Sequence, residues 1–237
     1  MFFTEDYLPR LDDYDRGGRL SYEAILQILE NVGAHHAARA SDAVAAGGLA
    51  WMLLDWRIAV ARRPGLFEPL QLRTWSRGKA TALTTDRDFV VTDTAGGELL
   101  RAEAKFALVD VQAQKMTRIS DELTRAYEPE TERVFDCDAP RLHVPAAFDA
   151  VQPVVLRRGD IDYNGHVHNT RYVTFALDAL PEADWLADGF TRLRIVYRAP
   201  VRPDSRPEIA RAAVDGGWRF AITAADGTVC TLMELLR

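Results

Sequence analysis

The stretch RRGDIDYNGHVHNTRY, Arg157 to Tyr172, sets two aspartates, two asparagines and two histidines between an apolar run and a helix-forming segment. Asp162, Asn164 and His166 alternate, so along an extended segment their side chains project to one side. A carboxylate and an imidazole sharing one space can activate water or form a covalent adduct, and an amide beside them can orient the reactants. Gly165 permits backbone geometry closed to other residues where the chain turns sharply. A helix beginning near Asn169 aims unpaired N–H groups and its positive dipole end into the same space, where they can stabilise an oxyanion. These parts suit hydrolysis of an activated acyl group. Each residue also has a plainer use: Asp162 as a cap, Asn164 as a turn residue, His166 as a satisfied structural histidine. His168 continues the alternation, and His-x-His with Asp160 or Asp162 has metal-ligand character. No third strong ligand accompanies them, so no metal is expected. Tyr172 is expected to pack on the core face of the helix.

Other chemistries lack their motifs. No serine sits in a G-x-S-x-G elbow, and neither G-x-G-x-x-G nor a P-loop is present, so no cofactor is expected. The pair His35–His36 falls near the end of a helix, where cationic residues are favourable, and reads as structural.

The elements that must hold the corner come in two sets. From Leu20, Ile25, Ile28, Leu29 and Val32 recur at spacings of three and four, which predicts an amphipathic helix capped by Ser21. LDWRIAVAR, PLQLRTW, ATALTTDRDFVVTD and ELLRAEAKFALVDV follow as strands, the last two joined by a TAGG turn. The second half repeats this order: VTFALDAL, within Asn169–Leu180, as a helix, then TRLRIVYRA, RPEIARAAV, WRFAITA and TVCTLMELL as strands. One helix followed by antiparallel strands, twice over, is an α+β layout.

The halves also match residue by residue. Shifted by 147 positions, DYDRGGRLS (13–21) falls on DIDYNGHVH (160–168) without a gap, and Arg57–Ile58 resembles Arg194–Ile195 at a shift of 137. This register indicates an internal duplication. Gly17 and Arg19 stand in the first copy where Asn164 and His166 stand in the second. Scaffold persists in both copies and chemistry in one, so the corner at 160–169 is expected to be a single active site beside an idle copy.

Composition narrows the class. At 237 residues and 48% hydrophobic, the chain can bury one large core or two smaller ones. The start, MFFTEDYLP, has no basic n-region, no apolar run approaches a membrane span, and Cys137 and Cys230 lie far apart, all of which suits a reduced cytoplasmic protein. A net charge of −6 argues against a nucleic-acid binder. Residues 1–140 carry 17 Lys+Arg against 23 Asp+Glu, whereas residues 141–237 carry 12 of each. Arg157, Arg158 and Arg171 gather at the motif, and Arg192, Arg194, Arg198, Arg202 and Arg206 follow, a distribution that can steer an acidic partner.

DIDYNGHVHNTRY resembles the D-x-D-x-N-x-H-V-N-N-x-x-Y signature of the acyl-acyl carrier protein thioesterases, with His168 in place of the first asparagine of the N-N pair. RLSYEAILQILENVGAHHA, DWRIAVARRPGLFEPLQLRTW and RDFVVTDTAGGELLRAEAKFALVD are similar in order and spacing to that family's N-terminal half. The resemblance implies a tandem hotdog fold, each half a curved antiparallel sheet wrapped around a long helix. It places the acyl-pocket half with its degenerate site in residues 1–126, a linker in 127–150 and the catalytic half in 151–237. It implies cleavage of the thioester between a fatty acyl chain and acyl carrier protein by a monomer or homodimer. Asp162 is then the nucleophile or water-activating base, His166 its general acid/base partner and Asn164 an orienting group. Asn169, Arg158 and Arg171 are assigned to substrate and carrier, and Trp51, with Leu53 and Leu54, to the acyl chain. The shorter D-x-x-G-H-V-x-N-x-x-Y pattern is shared with acyl-CoA thioesterases. Acyl-CoA cleavage, a hydratase and a non-catalytic carrier-binding module are the competing readings. One departure stands out: many relatives carry glutamate in a Tyr-x-x-Glu context, where this chain has Tyr197 followed at that place by Pro200, leaving Glu208 or Asp204 as substitutes.

Overall fold

The chain opens on an edge strand, β1 (Phe3–Tyr7), and then a long helix, α1 (Tyr22–Arg39). Ser21 starts the helix: its Oγ accepts the Ala24 N–H at 3.1 Å, satisfying one of the four orphan donors of the first turn. The computed structural model describes residues 1–42 and 44–237, which divide into two units, Met1–Asp138 and Ala139–Arg237.

In the first unit β2 (Leu49–Val60), β3 (Leu70–Lys79), β4 (Thr84–Asp93) and β5 (Glu98–Asp110) follow, then the short β6 (Lys115–Met116) and α2 (Asp121–Ala126). The strands lie antiparallel in the order β1-β3-β4-β5-β2, with β6 on β5. The predicted face of α1 is buried: Ile25, Ile28, Leu29 and Val32 are all at most 1% exposed. Trp56, Ile58, Leu72, Phe89 and Val91 supply the sheet's share of the core, with the Trp56 and Phe89 rings 5.2 Å apart. Truncating Trp56 to alanine is expected to cost about 4 kcal/mol of unfolding free energy, read from a urea midpoint.

The second unit contains β7 (Ala150–Pro153), α3 (Arg171–Asp178), α4 (Glu182–Ala187), β8 (Arg192–Tyr197), β9 (Glu208–Val214), β10 (Gly217–Thr223) and β11 (Val229–Leu236). Its antiparallel order, β7-β9-β10-β11-β8, repeats that of the first unit strand for strand. Each unit is a hotdog, and the class is α+β, as the sequence pattern implies. The copies differ in their helices. α3 has eight residues against eighteen in α1, where a long helix was expected in both. Pro181 follows closely, and a residue preceding proline is driven out of helical geometry.

The stretch 127–150, expected as a linker, is shared between the units. Trp75 donates its indole N–H to Glu132 O at 2.9 Å, and Val134 N–H donates to Asp88 Oδ2 at 3.2 Å, tying residues before 139 to the first sheet. Leu142 is buried with Ala221 and Leu232 of the second unit. The two edge strands and the two short helices escape the sequence pattern, because a strand paired on one side or a helix of six residues needs no extended apolar period. No helix among the described residues is long and apolar enough to cross a membrane.

His36 is wholly buried beside α1's end, its Nδ1 2.7 Å from Arg87 Nη1 and its ring stacked on Phe3. Burial and the Arg87 charge push it down to about 4, so it is neutral at physiological pH, and charge at a helix end does not explain it. His35 is exposed and lies 2.6 Å from Glu5 Oε2.

Candidate active site

The corner is a tight turn rather than an extended run. Gly165 N–H donates to Asp162 O at 3.0 Å and Asp162 N–H to His166 O at 2.8 Å, with Gly165 in the left-handed region at φ +77. Folding back brings Asn164 and the His166 backbone to the Asp162 carboxylate. Asp162 Oδ1 accepts the backbone N–H groups of Asn164 (2.8 Å) and His166 (3.2 Å), and its Oδ2 accepts the Asn164 side-chain amide at 3.2 Å. Asn164 is exposed, while Asp162 and His166 are half-buried. The imidazole of His166 makes no hydrogen bond among the described residues, which leaves both ring nitrogens for a reactant.

Neighbouring elements pin the turn from both sides. Val167 N–H donates to Val201 O at 2.9 Å and His168 N–H to Asp160 O at 2.8 Å. Asp160 is buried, accepts the Arg157 N–H at 2.7 Å and pairs with Arg171 Nε at 3.3 Å. Arg171 therefore braces the corner through Asp160. Arg158 is exposed. His168 falls at the position of Ser21 and serves the helix start, with its Nδ1 3.0 Å from Thr170 Oγ1. Asn169 gives its backbone oxygen to the Tyr197 hydroxyl at 2.9 Å, and its side-chain Oδ1 is buried without a partner. Tyr172 is 3% exposed on the core face of α3, and its hydroxyl, which accepts Val201 N–H at 3.1 Å, is pushed up to about 12 by burial. Thr170 and Tyr197 brace the site and were absent from the candidate set. Threonine directly before a helical run is the cap signal that finds the first.

Trp51 belongs to β2 of the first unit, half-buried, with its indole N–H 2.7 Å from Asp42 Oδ2. Glu208 opens β9 opposite Pro153 and Thr223, and Asp204 lies in the turn closed by Arg202 N–H on Ser205 Oγ at 2.8 Å. No hydrogen bond joins either carboxylate to the trio among the described residues.

The first copy repeats this wiring bond for bond. Gly18 N–H donates to Asp15 O at 3.0 Å, Asp15 N–H to Arg19 O at 2.8 Å, Leu20 N–H to Pro64 O at 2.8 Å and Ser21 N–H to Asp13 O at 2.9 Å. Asp15 Oδ1 accepts the backbone N–H groups of Gly17 (2.8 Å) and Arg19 (3.1 Å). Its second oxygen differs. Arg63, whose side chain is 5% exposed, donates to Asp15 Oδ2 at 2.6 Å. Burial alone would raise the Asp15 carboxyl, but the Arg19 and Gly17 amides and the Arg63 guanidinium hold it below the ordinary range. At the shift of 137, Arg63 corresponds to Pro200. Proline thus stands where a guanidinium holds the Asp15 carboxylate, and Asp162 keeps the corresponding oxygen for Asn164. An accessible carboxylate, an amide and an imidazole on one turn beside a helix start can deprotonate water, hold a carbonyl and protonate a leaving group.

Residues 1–127 match the acyl-ACP thioesterase N-terminal domain and residues 146–232 the acyl-ACP thioesterase C-terminal domain. Among curated proteins, the chain is 24% identical over 201 residues to oleoyl-acyl carrier protein thioesterase 2, chloroplastic, of Arabidopsis thaliana, covering 76% of this chain and 54% of that one. It is 23% identical over 229 residues to the oleoyl-acyl carrier protein thioesterase, chloroplastic, of Coriandrum sativum, covering 86% and 60%. The chain thus spans little more than half the length of these relatives. Among solved structures, an acyl-ACP thioesterase from Bacteroides thetaiotaomicron superposes with a TM-score of 0.85 at 20% identity, over 99% of this chain and 97% of that one. The 12:0-ACP thioesterase from Umbellularia californica gives 0.87 at 18% identity, over 99% and 96%. At these identities the superpositions establish the fold.

Proposed function

The chain belongs to the acyl-ACP thioesterase family, and from that premise we propose that it hydrolyses fatty acyl-[acyl carrier protein] to free fatty acid and carrier protein. The observation that carries this reading is the contrast between two copies of one turn: Asp15 is closed off by Arg63, and Asp162 is left open beside Asn164 and His166. In the reaction, Asp162 acts on the thioester carbon either through a water that it deprotonates or by direct attack as a nucleophile. The C–S bond breaks, and His166 delivers the proton that the departing thiolate takes up. Asn164 holds Asp162 in place and orients the reacting groups. In the direct route an acyl–Asp162 anhydride forms, and water then opens it. A single turnover in ¹⁸O water that labels the Asp162 carboxylate marks the anhydride route, and hydroxylamine capture of an acyl–Asp162 adduct marks it even when water opens the anhydride at the acyl carbon. Trp51, Leu53 and Leu54 on β2 are assigned to the acyl chain, and Arg158 to the carrier.

The test is release of free fatty acid from carrier protein loaded with chains of graded length. No release with any chain would defeat the proposal, and cleavage confined to acyl-CoA would move it to the competing substrate class. The idle copy supplies a control. Asp15→Asn is expected to leave turnover within twofold of wild type while costing about 2 kcal/mol of stability, because it weakens the partner of the buried Arg63.

A further inference from the structure

Tyr163 sits between Asp162 and Asn164 and is 96% exposed, the most exposed large hydrophobic residue among those described. The turn does not explain it. Asp162 O and Gly165 N–H close the turn, leaving Tyr163 at a central position that most residues can fill. Val155, at 79% exposure, projects from the segment leading into the same corner. Two hydrogen bonds lay that segment and the corner beside the 201–207 loop: Val154 N–H donates to Pro207 O at 2.8 Å, and Val167 N–H to Val201 O at 2.9 Å. The paired segments expose four arginines, Arg157, Arg158, Arg202 and Arg206, against two exposed acids, Asp204 and Glu208. An exposed aromatic ring and an exposed valine in segments that also expose these arginines have the composition of an interface hot spot, where tyrosine and arginine predominate. A thioester carried on a long arm brings its carrier to the rim of the reacting corner rather than to its floor.

We propose that Tyr163, with Val155 and the surrounding arginines, forms the docking surface that selects an acidic carrier protein over free coenzyme A. This rests on the thioesterase reading above. Coenzyme A presents the same arm without a protein body, so it gains nothing from a ring that lies outside the reacting turn. The arginines steer the acidic carrier to the rim, and the ring desolvates against it. The first copy has Arg16 in the place of Tyr163, in keeping with a corner that receives no thioester.

The experiment compares wild type with Tyr163→Ala and Tyr163→Phe, using one acyl chain loaded on carrier protein and on coenzyme A. Tyr163→Ala is expected to lower the carrier-to-CoA ratio of kcat/KM at least tenfold, with most of the ratio retained in Tyr163→Phe. A ratio within twofold of wild type would overturn the proposal. So would a Tyr163→Ala protein whose oligomeric state in solution differs from wild type, since the ring would then serve a second copy. Titration of holo carrier protein into each variant measures docking without turnover. A Kd unchanged in Tyr163→Ala defeats the docking surface even if hydrolysis proceeds. Wild type that binds the carrier but cleaves no thioester defeats the thioesterase reading and leaves the docking result to be judged on the Kd alone.

Discussion

Asp162→Asn is expected to lower kcat/KM for acyl-carrier-protein hydrolysis about a thousandfold, the scale of a lost general base. The substitution is close to isosteric. An asparagine Oδ1 still accepts the Asn164 and His166 amides that Asp162 Oδ1 accepts at 2.8 and 3.2 Å, so the turn keeps its closure. What disappears is the charge and the second acceptor, which now holds the Asn164 side chain at 3.2 Å. His166→Ala is expected to cost about a hundredfold or more through loss of the proton donor, again with the backbone bonds in place. The double variant should be little worse than Asp162→Asn alone, since the two groups act in one step. Circular dichroism and thermal midpoints verify folding. Folded variants that turn over at the wild-type rate would remove these residues from catalysis.

The second large effect concerns pH and lies in the first unit, where two buried groups titrate against each other. His36 has a folded-state value of about 4 against 6.5 as its ordinary value. A depressed histidine contributes stability that is present above 6.5 and lost as pH falls, because only the unfolded chain takes up the proton. Asp88 is the reverse. It is wholly buried beneath Val134, 3.5 Å from Arg77 Nε with Asp86 and Glu103 on the same guanidinium, and burial pushes its carboxyl up to about 6 from 3.8. A raised carboxyl favours the folded state when protonated, and that contribution is lost as pH rises through 6. Between pH 7 and pH 5 the His36 effect removes roughly 2 kcal/mol and the Asp88 effect returns roughly 1 kcal/mol, so wild type changes little. Single variants expose each slope. His36→Gln is expected to gain stability on going from pH 7 to pH 5, and Asp88→Asn to lose it, both read from urea midpoints at the two pH values. Parallel slopes in the two variants would contradict the opposition.

How much of the site was legible in the sequence follows from what each feature depends on. Asp162, Asn164 and His166 stood out because a duplicated chain supplies its own control: Asp15, Gly17 and Arg19 show what the same turn looks like without the chemistry. The alternation that grouped them was read as extended backbone, and the structure groups them through a turn closed on Gly165 instead. Arg171, assigned to substrate, faces Asp160 and holds the corner. A cation near a motif looks the same in sequence whether it meets a ligand or a buried carboxylate.

The sequence by itself determined the duplication, the α+β class, the four long strands of each half and the segment that bears the candidate trio, because these rest on local period and on residue types at fixed spacing. Only the tertiary structure decided that Arg63 seals Asp15 where Pro200 leaves Asp162 open, that His36 is neutral, that the connector is divided between the units and that Tyr163 stands in solvent. Those outcomes depend on which groups from distant stretches meet and on how much water reaches them. Neither quantity is written in the spacing of neighbours along the chain.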